Sequence, residues 1–137
     1  MNNILSLKQA LNLMIVLSAM VLLFHVFILA GVIPYSIVWA GKISTRENMM
    51  MFEAISIFIN ALLIIILLLK VGYIQNKISR RKLQFVIWCF IILFGLNTIG
   101  NLFAKSRFEL YCFTALAFLS TVLCLRIVVD KGEIKNA

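Results

Sequence analysis

In a chain that is otherwise oily, a short set of side chains can hydrogen-bond or pair with a polar ligand: His25, Glu53, Ser56, Asn60, Asn97, Asn101, Lys105 and Glu109. An imidazole beside a carboxylate is a pairing that shares or relays a proton near neutral pH, so His25 and Glu53 are the natural candidates for acid/base work. Glu53, Ser56 and Asn60 are spaced three and seven apart and fall on one face of a helix. Asn97, Asn101 and Lys105 recur every four residues, with Thr98 and Gly100 beside them and Glu109 one further step of four along. Cys89, Cys112 and Cys124 lie in apolar segments without a CxxC spacing, and are expected to pack as small apolar side chains. Nothing resembles a nucleotide-binding loop, a haem ligand pair or a metal cluster, so no metal and no cofactor is expected.

The elements that hold these groups follow from composition. Of 137 residues 64% are apolar and 13% charged, against about 45–50% and about 25% in an average soluble domain. A soluble fold of this size cannot hide that much apolar surface. The pattern predicts an all-α membrane protein, a single domain built as a four-helix antiparallel transmembrane bundle with spans near 11–32, 49–69, 83–104 and 109–129. The apolar run from Ala10 to Ala30 exceeds the 7–15 residues of a signal-peptide core and reads as a span. The uncharged stretch between Glu53 and Lys70 covers only about 24 Å of a hydrocarbon layer of about 30 Å, so Glu53 is expected within the membrane boundary. The fourth span is similarly short between Glu109 and Arg126, and snorkelling by Arg126 with continuation through Ile127-Val128-Val129 makes up the difference. The connection at residues 105–107 is so short that the third and fourth helices must form an antiparallel hairpin.

Orientation follows from the basic residues. Lys8, Lys70, Lys77, Arg80, Arg81, Lys82, Arg126, Lys131 and Lys135 lie on one side, and Lys42, Arg46, Lys105 and Arg107 on the other. Nine against four predicts that both termini face the cytoplasm. That placement also makes the net charge of +8 a topology signal, with no nucleic-acid partner expected. The outer connection, Ile33-Pro34-Tyr35-Ser36-Ile37-Val38-Trp39-Ala40-Gly41-Lys42, is apolar and aromatic for a loop. It is expected to lie along the membrane surface as a short interfacial helix with Pro34 in its first turn, either as an aromatic anchor through Tyr35 and Trp39 or as a lid over a site beneath.

With that topology the polar residues gather in the outer half, while the cytoplasmic half is nearly all Leu, Ile, Val and Phe. Ionisable groups in hydrocarbon cost at least a few kcal/mol each and turn inward to find partners. The sequence therefore predicts an outward-facing polar pocket that binds a small molecule or a lipid headgroup, with Lys105 and Arg46 near its mouth to attract anions. Plainer roles stay open for each member. Asn97 and Asn101 could bond across helices, Lys105 and Glu109 could form an interfacial ion pair or solvated ends, Glu53 could serve the helix dipole, and His25 could be a satisfied donor.

The runs Gly31 to Lys42, Phe52-Glu53-Ala54-Ile55-Ser56 and Asn97-Thr98-Ile99-Gly100-Asn101-Leu102-Phe103-Ala104-Lys105 resemble a group of small bacterial four-helix membrane proteins. The resemblance spans most of the chain and implies topology and a bacterial inner membrane, with no catalytic assignment. In size and helix number the chain is also similar to sterol-isomerase-like proteins, which keep carboxylates in a membrane pocket, but their motif pattern is absent. Small multidrug exporters carry their glutamate in the first helix, where this chain has His25, which argues against membership. Two alternatives to simple binding follow: acid/base chemistry by His25 and Glu53 on a lipid-like substrate such as an isoprenoid, or an interaction or transport subunit acting as a homo-oligomer. Membrane lipids are partners in every case.

Overall fold

The structure, a computed structural model, describes residues 5–39, 43–75 and 77–130. These residues build four long helices: α1 (Leu7–Leu29), α2 (Arg46–Val71), α3 (Arg80–Leu102) and α4 (Thr114–Val129), the last entered through a π-helical turn, Glu109–Phe113. A short 3-10 turn, Tyr35–Ile37, lies between α1 and α2. All four are long and apolar enough to cross a membrane when the π turn is counted with α4. The chain is a polytopic, all-α membrane protein.

Local chemistry explains where the helices stop and start. Ser6 and Gln9 form a reciprocal capping box that starts α1 before the apolar run does. At the other end Gly31 adopts φ 79°, and the amides of Gly31 and Val32 turn back to the carbonyls of Ile28 and Phe27. That left-handed residue closes the helix as glycine commonly does. Thr45 caps α2 through the Asn48 amide, with Glu47 in the first turn and Lys70 in the last, each favourable to the helix dipole. Gly72, at φ 87°, ends it. With 26 residues α2 spans about 39 Å, enough to cross the bilayer with Glu53 two turns inside its start.

The helices pack as two antiparallel hairpins, α1 on α2 and α3 on α4, joined more closely along α1 and α4 than along α2 and α3. One end of the bundle, here the base, carries the start of α1, the α2–α3 connection and the end of α4. Its core is continuous and apolar, centred on Leu11, Met14, Leu63, Leu67, Ile87 and Ile127, all at most 1% exposed. Cys124 fills a place in this core, whereas Cys89 faces outward from α3 and Cys112 is half-buried. Arg126 reaches toward the end of the bundle at the base. Its guanidinium donates to the Leu5 carbonyl at 3.1 and 3.2 Å and to the Asp130 carboxylate at 2.8 Å.

The opposite end, the rim, is organised differently. In α3 no residue beyond Ile91 is buried. A small second cluster of Ile28, Val38, Ile43 and Met49 fills the rim between α1, α2 and their connection, with Phe24, Trp39 and Phe113 packed on it. The apolar connection is thus folded onto the end of the bundle.

Candidate functional site

Glu53 is fully buried, and each of its oxygens has a hydrogen-bond partner from a different segment. Nδ1 of His25, near the end of α1, lies 2.6 Å from Oε2, and the indole N–H of Trp39 donates to Oε1 at 2.8 Å. The first contact is fixed by the α1–α2 packing. The second depends on the backbone: Trp39 sits at φ 61°, a left-handed conformation that a bulky residue holds only at a cost of order 1–3 kcal/mol. The preceding turn, with Pro34 as its N-cap in extended conformation and Val38 buried, delivers the chain to that point. Tyr35 and Trp39 therefore do not share an outer face of a short α-helix. Pro34 precedes a single 3-10 turn, and Trp39 points inward with its indole on the Glu53 carboxylate.

Aromatic rings surround the pair. Trp39 stacks at a tilt on Phe52, with centroids 4.9 Å apart. Phe24 lies edge-on to its neighbour His25 at 6.1 Å and to Phe113 at 5.3 Å, and Phe113 in turn meets Phe108 at 5.5 Å. Phe113 reaches α1 from the π turn, a helix irregularity often found where a side chain must be re-aimed at a functional position. The His25 side chain remains 18% exposed while Glu53 is sealed.

The remaining candidates are placed as follows. Ser56 and Asn60 lie on the buried face of α2 below Glu53, and the Asn60 amide donates to the Ser56 carbonyl at 2.9 Å, so it is satisfied within its own helix. Glu109 is buried at the head of the π turn, its amide 3.5 Å from the Ser106 hydroxyl. Asn97 and Lys105 are exposed and Asn101 is half-buried, and among the described residues none of the three hydrogen-bonds the His25–Glu53 pair. Among the described residues Lys105 is in no ion pair. The structure thus joins His25 to Glu53 and keeps Ser56 and Asn60 on the same face, with no hydrogen bond among the described residues from the α3 asparagines to the pair. Lys42, expected in the outer connection, lies outside the described residues.

Trp39 is the member of the site that sequence patterning does not select. Its signal is a tryptophan in a connection between Pro34 and Gly41, but headgroup anchoring accounts for the same signal. Among the described residues no group of three or more His, Cys, Asp or Glu side chains could hold a metal. Compared with known protein families, curated proteins and solved structures, the chain has no match. Its likeness to small four-helix membrane proteins therefore rests on helix number and span length.

Proposed function

We propose that this membrane protein binds a small molecule or lipid headgroup in a polar pocket at the rim, with Glu53 as the acceptor, His25 as its fixed partner and Trp39 as the displaceable occupant. The observation that carries this reading is the sealed carboxylate with one donor on a lid. A buried ionic or polar pair is seldom the most stable way to fill a core, since apolar residues of similar volume often do as well or better. What Glu53 offers instead is an acceptor for a ligand's ammonium or hydroxyl group once residues 33–39 lift and the indole withdraws. Both termini are assigned to the cytoplasm, which makes the rim face outward from a cell membrane.

The test is chemical analysis of what travels with the protein. Purified gently in detergent and extracted, the wild type should retain a small molecule or lipid that Glu53→Gln loses, with Trp39→Phe altering the amount retained. Identical extracts from variants that keep their helicity and size would overturn the reading. Maleimide labelling of a single cysteine introduced at Lys77 checks the orientation separately, because that site should react only after the cells are opened.

The 2.6 Å imidazole–carboxylate contact favours a second reading. In the tautomer whose Nδ1 donates to Glu53, Nε2 is left as a base toward a lipid-like substrate such as an isoprenoid. A pH–rate profile of lipid turnover that survives His25→Ala removes this reading.

A further inference from the structure

Away from the His25–Glu53 pair, the outward side of α3 and α4 carries a groove of about 480 Å³. Thr98 and Leu102 form one wall, and Tyr111, Thr114, Ala115 and Phe118 the other. The size falls in the range of small-ligand sites, about 300–1,000 Å³. The walls are almost wholly apolar, and Leu102, Tyr111 and Phe118 are more than half exposed, so the groove faces the surrounding lipid. From Tyr111 to Phe118 it follows α4 for about 10 Å, from headgroup depth into the hydrocarbon. Such a shape takes a chain of methylenes.

The charge at its upper end selects the headgroup. The turn joining the two walls, residues 103–108, carries Lys105 and Arg107, both exposed and, among the described residues, without an ion-pair partner. The neighbouring carboxylate, Glu109, is itself buried, so the two cations are the charges this turn presents at the surface. The Thr114 hydroxyl, in the wall itself, is buried with no hydrogen-bond partner among the described residues. We infer that this groove is a binding site for an anionic phospholipid, with one acyl chain between α3 and α4 and its phosphate held by Lys105 and Arg107. The site is independent of Glu53.

The probes are phosphatidylglycerol and phosphatidylcholine with identical acyl chains, added to delipidated protein and read by native mass spectrometry as the first binding constant. Each cation near a membrane surface is worth about a fivefold preference, so phosphatidylglycerol should bind on the order of 20-fold more tightly. Lys105→Gln with Arg107→Gln should bring the two lipids level. Ala115→Trp, on an exposed position of the wall, should weaken both lipids about tenfold by filling the groove; Leu102→Trp does the same from the opposite wall if the first variant misfolds. Glu53→Gln should change neither constant. The inference falls if the preference persists without the two cations, or if both groove-filling variants bind as the wild type does. It also falls if glycerol phosphate, which has no chain, competes as well as the whole lipid.

Discussion

The base and the rim of this bundle are built on opposite plans. At the base four helices converge on Leu, Ile and Met side chains, and the charges there, Arg126 and Asp130, sit at the boundary clasping the Leu5 carbonyl and each other. At the rim α3 buries nothing beyond Ile91, and a connecting segment packs there with its tryptophan on a sealed glutamate. Apolar packing alone would have served both ends, because lipid tails and leucines are equally oily and helices associate by fit. The rim instead closes over buried polar groups and a left-handed tryptophan.

The largest effect expected from breaking this contrast lies at the base. Leu67→Ala, at a position with no exposure, should cost about 2–5 kcal/mol in reversible unfolding in mixed micelles while leaving Trp39 fluorescence unchanged. At the rim, Glu53→Gln should cost about 1.5–3 kcal/mol, the worth of hydrogen bonds to a charged group, and should speed hydrogen exchange in residues 33–39 with no change at the base. Equal acceleration at both ends would erase the distinction. Trp39→Phe removes one donor and should cost about 1–2 kcal/mol, loosening the same segment while the His25–Glu53 contact persists, visible as an unshifted imidazole resonance. The smallest change is predicted for Ser18→Ala. That hydroxyl is buried without a partner among the described residues, so its removal should be neutral or slightly stabilising in the same unfolding assay.

Much of this could be read from residue patterns, and the failures are physical. The spans were legible because twenty apolar residues in a row admit few interpretations, and the compatible depth of His25 and Glu53 followed from counting residues along two helices. The α3 asparagines show where counting stops. A four-residue repeat places Asn97, Asn101 and Lys105 along one helix but does not say how far that helix stands from α2. In the structure α3 packs far more on α4 than on α2, and Asn97 is exposed. Trp39 eluded the pattern for a different reason: a tryptophan at headgroup depth satisfies the anchoring rule, and one backbone angle turned it inward.

Composition and periodicity by themselves determined that the chain crosses the membrane four times, and they drew its polar groups toward one end, because transfer of apolar and ionisable side chains into hydrocarbon is large, local and additive along a helix. Tertiary structure decided which of those groups meet. That choice turns on rotations about helix axes, on gaps between neighbouring helices and on the fold of one connection, each governed by contacts between residues distant in sequence. The sealing of Glu53 beneath Trp39 belongs entirely to that second kind.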